Sequence, residues 1–275
     1  MKLSLTIAKN VSENFPVLLR GDYAEKIKRG SQLGYKYVEM HIRDPIEVDV
    51  ESILKACEEN NVSVTTLGTG LGYVIDKLTF TSPDKEVREK AVNRIIEHIK
   101  LAAELNSKVI IGSIRGSIPD VSKYDKYESF ALECFEKCLK VAESKRIVLL
   151  IEAINRYETN FINTVEEALS FIKKIGSEYI RIHIDTFHMN IEERDIVESI
   201  KYVSKYLGHV HFADNNRKYP GMGHIDFKAI IKVLNDIGYK DAIALECLPY
   251  PDGEEAALKA IENLKKIGKV LGVNF

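Results

Sequence analysis

The sequence predicts an α/β fold, a single (β/α)8 TIM barrel spanning residues 1–275. Three observations carry this expectation. Short apolar runs alternate with amphipathic runs from one end of the chain to the other, which is the pattern of repeated βα units. The length of 275 residues suits one such barrel. The rival arrangement, an open doubly wound sheet, usually announces itself by a glycine-rich turn after its first strand. Here the first run is followed by Lys9-Asn10-Val11-Ser12, with neither a G-x-G-x-x-G nor a P-loop pattern.

Taken in order, the candidate strands are Leu3–Ala8, Tyr37–His41, Ser63–Leu67, Lys108–Gly112, Ile147–Ile154, Ile180–Asp185, His209–Ala213 and Ala242–Cys247. The segments between them carry helical spacing. The clearest places Val87, Ala91, Ile95, Ile99, Ala102 and Ala103 on one face, and Ser82-Pro83 reads as its N-cap and first helical residue. Thr164-x-x-Glu167 reads as a capping box, and a further helix runs through Phe227, Ile230, Ile231 and Leu234. No low-complexity linker divides the chain.

Composition limits the function. A formal net charge of −2 supplies no basic field for a polyanion, so nucleic acid is not an expected partner. The N-terminal stretch is too short in apolar residues for a signal peptide, and no run approaches a membrane span. Cys57, Cys134, Cys138 and Cys247 form no C-x-x-C pair and read as reduced core thiols of a cytoplasmic protein; Cys134 and Cys138 should share one helix face.

Barrel enzymes carry their chemistry at the C-terminal ends of the strands. The last four candidate strands end in unusual residues there: Glu152, Asp185, His211 and Glu246, spaced 33, 26 and 35 residues apart, each about one βα unit. Any one of them is equally readable as a helix cap or half of an ion pair. Four at equivalent positions would bring three carboxylates and an imidazole to one rim, where a cation must offset their repulsion. An oxygen-rich set with one nitrogen suits one Mn²⁺, Co²⁺ or Mg²⁺ per chain better than structural zinc. Side chains two apart on a strand share a face, so Arg181 and His183 should lie below Asp185 and His209 below His211, as core residues or as support for the ligands. Ala242 and Ala244 below Glu246 would leave them room.

At these residues a family resemblance appears. Glu152-Ala-Ile-Asn-Arg-Tyr-Glu158, Asn163-Thr164, Asp185-Thr-Phe-His188-Met-Asn-Ile-Glu-Glu193, His209-Val-His211-Phe-Ala-Asp-Asn-Asn-Arg217 and Pro220-Gly-Met-Gly223 through Glu246 resemble the xylose-isomerase-like barrels. Within them, the resemblance is to the ketose 3-epimerases of the D-tagatose/D-psicose group. The phrases Asn155-Arg-Tyr-Glu158, Gly221-Met-Gly-His-Ile-Asp-Phe227, Glu246-Cys-Leu-Pro249, Arg43-Asp44-Pro45 and Ile110-Ile-Gly112 leading to Arg115-Gly116 are most similar to 5-keto-L-gluconate epimerases. The resemblance implies that Glu152, Asp185, His211 and Glu246 bind the metal and that Glu152 and Glu246 are the catalytic acid/base pair. It implies too that Glu158, His188 and Arg217 hold substrate oxygens, and that the protein is a homodimer or homotetramer.

Epimerisation next to a ketone removes a proton from carbon and returns one to the opposite face, which requires a group on each side. The implied substrate is a keto-sugar or a keto sugar acid. For an acid, Arg115 or Arg43, each following an early strand, would read the carboxylate by bidentate pairing; the alternative for Arg43 is local pairing with Asp44 or Glu39. Aldose–ketose isomerisation or keto-polyol dehydration would use the same metal logic. An endonuclease IV-like nuclease would need histidines on strands three and four, which offer Thr66-Leu67-Gly68 and Gly112-Ser113-Ile114 instead. A metal-stabilised sugar-binding barrel remains the non-enzymatic alternative.

Overall fold

The computed structural model describes residues 1–275. Eight parallel strands close into a barrel: β1 (Lys2–Ala8), β3 (Tyr37–His41), β4 (Ser63–Gly68), β5 (Lys108–Ile111), β6 (Leu149–Glu152), β7 (Ile180–Asp185), β8 (Leu207–His211) and β9 (Ala242–Leu245). β9 pairs with β1, Lys2 opposite Ala242 and Leu5 opposite Leu245, which shuts the ring and leaves no open sheet edge. A two-residue strand not anticipated from the sequence, β2 (Leu19–Arg20), runs beside the end of β1. Its pairing folds the loop after β1 back over the barrel mouth.

Helices α1 (Tyr23–Gln32), α2 (Val50–Asn60), α3 (Gly70–Val74), α4 (Lys85–Glu104), α5 (Tyr124–Lys145), α6 (Val165–Ile175), α7 (Thr186–Glu192), α8 (Ile196–Val203), α9 (Phe227–Asp236) and α10 (Gly253–Leu271) alternate with the strands. Their buried stripes and the strands form one continuous apolar cluster. Cys134 and Cys138 lie buried on α5, as their spacing predicts. The capping box is present: Thr164 accepts from the Glu167 N–H while the Glu167 carboxylate receives the Thr164 N–H. The start of α4 differs from expectation. Asp84 is its N-cap, accepting from Glu86 N at 2.8 Å, and Ser82 instead accepts from Asp84 N at 3.1 Å. A carboxylate near the first turn also meets the positive end of the helix dipole, so the cap falls two residues later than the serine.

His98 ties α4 to the barrel. It is fully buried, with Nδ1 2.8 Å from Arg94 O and Nε2 3.1 Å from Ile42 O. A neutral ring carries one N–H and satisfies one carbonyl at a time. Burial outweighs both carbonyls and lowers the imidazole pKa to about 4. The folded pKa lies below the unfolded value of about 6.5. His98 therefore supports the fold fully above pH 6.5, and that support is lost as pH falls towards 4, by about 2 kcal/mol at pH 5. Urea unfolding of wild type and His98→Gln at pH 7 and pH 5 should show a smaller loss in the variant by about that amount; equal losses would reject the assignment.

Candidate metal centre and substrate cavity

The sequence-predicted rim residues meet. Glu152, Asp185 and His211 are the last residues of β6, β7 and β8, and Glu246 immediately follows β9. In the sheet register Asp185 lies opposite His211, and His211 opposite Ala244. All four side chains are buried, and one donor atom from each lies within 4.8 Å of every other. Ligands about 2.0–2.2 Å from an ion can span little more than 4 Å across it, so three oxygens and one nitrogen at this separation fit a divalent cation with slight contraction. The cluster can hold a metal.

Local chemistry fixes each donor. Asp185 also N-caps α7: Oδ1 accepts from Phe187 N at 2.7 Å, which turns Oδ2 into the site. Nδ1 of His211 lies 3.3 Å from Glu246 Oε2 and 3.8 Å from Asp185 Oδ2. The Arg217 guanidinium contacts Asp185 through Nη1 and Glu246 through Nη2 and stacks over Phe187, its carbon 4.9 Å from the ring centre. These surroundings separate the two glutamates. Burial, then the neighbouring Glu246 charge, pushes the Glu152 carboxyl well above the usual range. Burial opposes ionisation of Glu246 as well, but Arg217 and then His211 overcome it and hold Glu246 below its ordinary value. The two carboxyls are thus pushed in opposite directions by their surroundings.

Arg217 stands in a loop organised by a residue the sequence did not single out. Buried Asp214 accepts from Asn215 N at 2.9 Å and Ile225 N at 3.1 Å on Oδ1, and from Gly221 N at 2.9 Å and Gly223 N at 2.7 Å on Oδ2. One carboxylate thereby gathers the backbone of residues 214–225 and presents Arg217, whose φ is +60°, to the centre. Asn155 does the same for the opposite wall. Its Nδ2 donates to His188 Nδ1 at 2.7 Å and to Glu158 Oε1 at 2.9 Å. With Nδ1 accepting, the His188 proton resides on Nε2, 3.7 Å from Glu152 Oε1.

Glu152, Glu158, His188, His211, Arg217 and Glu246 line a cavity with His41, the Gly68–Gly70 turn, Gly112, Ser113 and an apolar cover of Phe15, Pro16, Val74 and Ile154. Phe15 sits edge-on to His41 with ring centres 5.4 Å apart. His183 and His209 are buried one layer below, as the strand alternation predicts, their rings 4.9 Å apart.

Two predicted residues are not brought to the cavity. Arg115 is fully buried and donates to the carbonyls of Gly112, Phe161 and Ile162 at 3.0, 2.7 and 2.8 Å. A 3-10 turn after β5 aims it into the β6–α6 loop, where it serves packing. Arg43 pairs with Asp76 on the outer rim, and Asp76 and Asp44 also hold Arg94; the expected partners Asp44 and Glu39 are not those of Arg43.

Comparison with known proteins agrees with this geometry. Residues 27–267 match the model of the family described as xylose isomerase-like TIM barrel. The chain belongs to that family. It is 32% identical over 232 residues to a D-psicose 3-epimerase of Ruminiclostridium cellulolyticum, covering 82% of this chain and 78% of the relative. It is 31% identical over 218 residues to an L-ribulose 3-epimerase of Mesorhizobium japonicum, covering 78% and 72%. Among solved structures, a 3-keto-D-glucoside 4-epimerase from E. coli superposes with a TM-score of 0.82 at 23% identity, over 97% of this chain and 99% of that one. The family is enzymatic and these relatives are isomerases, so the chain is an enzyme of that class. No helix is long and apolar enough to cross a membrane.

Proposed function

We propose that this enzyme inverts the carbon beside the ketone of a neutral keto-sugar, in the manner of a ketose 3-epimerase. The observation that carries the reading is the meeting of two buried glutamates with Asp185 and His211 at one end of the barrel, both glutamates lining a single cavity. Glu246 removes the proton from carbon, and Glu152 delivers one to the opposite face; in the reverse direction they exchange tasks. The His188 Nε2–H donates to a substrate oxygen, and Asn155 keeps that tautomer. Arg217 holds Asp185 and Glu246 in place and offers positive charge to substrate oxygens. Glu158, at the cavity mouth, accepts from a substrate hydroxyl. A divalent cation held by Glu152, Asp185, His211 and Glu246, with Mn²⁺ the best match to the donor set, would supply positive charge to the oxygen that becomes anionic when the carbon loses its proton. The apolar cover of Phe15, Pro16, Val74 and Ile154 excludes water from that proton.

Substrate charge follows from the lining. Arg217 is the one arginine or lysine among the lining residues, and it is already engaged by two carboxylates. With Arg43 and Arg115 directed elsewhere, no guanidinium stands ready to read a second carboxylate or a phosphate, which favours a neutral ketose over a keto sugar acid. The test is NMR in D₂O with Mn²⁺ over D-tagatose, D-psicose, L-ribulose and keto-gluconates. A neutral ketose should gain one deuterium at the carbon next to the ketone with formation of its epimer, and a chelator should stop it. Turnover confined to the acids would reject the neutral substrate, and absence of exchange in every sugar would reject epimerisation.

A further inference from the structure

One buried carboxylate takes no part in the reaction just described. Glu39, on β3, is wholly inaccessible to solvent and lies at the centre of the barrel, two residues before the strand end. Its Oε1 is 3.0 Å from His41 Nε2 and 2.8 Å from His211 Nε2. Its Oε2 is 2.8 Å from His209 Nε2 and accepts from Thr66 Oγ1 at 2.5 Å. Three strands, β3, β4 and β8, thus converge on two oxygens: His41, His209 and Thr66 hydrogen-bond to them, and His211 makes a close approach.

The consequence lies on the other side of the His211 ring. An ionised carboxylate only accepts, so the nitrogen facing it would carry the proton, and with a cation engaging the opposite carboxylates the imidazole would be neutral and keep its lone pair on the other nitrogen. For His211 that nitrogen is Nδ1, which faces Glu246 and Asp185. The 2.8 Å approach of His211 Nε2 to Oε1 is bent outside regular hydrogen-bond geometry, and this buried nitrogen has no hydrogen-bond partner, so Oε1 is the acceptor it faces. His209 and Thr66 hold Oε2, and His41 shares Oε1, so the carboxylate itself has little freedom to rotate.

We propose that Glu39 is a positioning residue of the metal centre, fixing the His211 tautomer so that Nδ1 is the nitrogen presented to the cation. This rests on the reading of Glu152, Asp185, His211 and Glu246 as a metal site. A purely structural Glu39 would affect folding but would not select a nitrogen or alter metal affinity.

The test measures metal binding and the tautomer directly. Mn²⁺ affinity is determined by chelator competition for wild type and Glu39→Gln, alongside thermal melting of both without added metal. An amide is a weaker acceptor and brings an N–H of its own into the cluster, so Kd for Mn²⁺ should rise about 10–100-fold. In wild type loaded with diamagnetic Mg²⁺, long-range ¹H–¹⁵N correlation should show the His211 proton on Nε2. A variant Kd within twofold of wild type overturns the proposal. So does a His211 proton on Nδ1, which is read in wild type and holds even if Glu39→Gln does not fold. Failure of wild type to bind either ion overturns the metal site itself, a result distinct from tight wild-type binding that Glu39→Gln leaves unchanged.

Discussion

Glu152→Gln and Glu246→Gln should each lower epimerisation by at least about 10²–10⁴-fold, the usual worth of a general acid or base. The loss should persist at saturating Mn²⁺, which separates proton transfer from weakened metal binding. The two variants should not be equivalent. If each carboxyl serves one face of the carbon, the variant lacking one retains the other, and that group can still exchange a proton with solvent without inversion. Each variant should therefore wash deuterium into one epimer only, and the two should choose opposite epimers. The surroundings also differ: Arg217 and His211 outweigh burial and push Glu246 down, whereas burial and then the Glu246 charge push Glu152 up. Loss of exchange with both epimers in one variant and neither in the other would point to a single base and end the two-face scheme.

Much of this site was legible because strand ends repeat. Glu152, Asp185, His211 and Glu246 each close an apolar run at a βα spacing, and a closed barrel converts equal positions on successive strands into one rim. Exact strand limits were less legible. β6 is Leu149–Glu152 within the expected Ile147–Ile154, and β8 is Leu207–His211 where His209–Ala213 was expected. The second shift has a local cause. The Ala213 N–H and carbonyl both bond to the Thr186 hydroxyl, at 3.0 and 2.7 Å, so that residue is claimed by the neighbouring helix start and leaves the sheet. Arg43 and Arg115 show a different limit: periodicity places a residue near the rim, while the turn that follows a strand decides where its side chain points. Glu39 shows the third. Its alternation marks it as inward-facing, but its partners His209 and His211 lie some 170 residues along the chain, and only the closed barrel brings them together. Asp214, whose role is to collect backbone N–H groups across eleven residues, leaves no periodic trace at all.

Gly112→Ala should disable the enzyme without replacing any group that reacts. Gly112 follows β5, and a methyl there would stand 2.5 Å from Glu152 Oε2. That approach is well inside van der Waals contact, so the carboxylate must swing away from the place where it meets Glu246 and His188. Misplacing a catalytic group by about 1 Å costs on the order of 100-fold in turnover. Gly70 supplies the control. It lines the same cavity, yet a methyl on it would meet nothing within 4 Å. Gly70→Ala should therefore keep kcat close to wild type while Gly112→Ala loses about two orders of magnitude, both measured on the ketose with the largest turnover. Equal activity in the two variants would mean that the Glu152 carboxylate is free to move without penalty, and the demand that it sit opposite Glu246 would then have no basis.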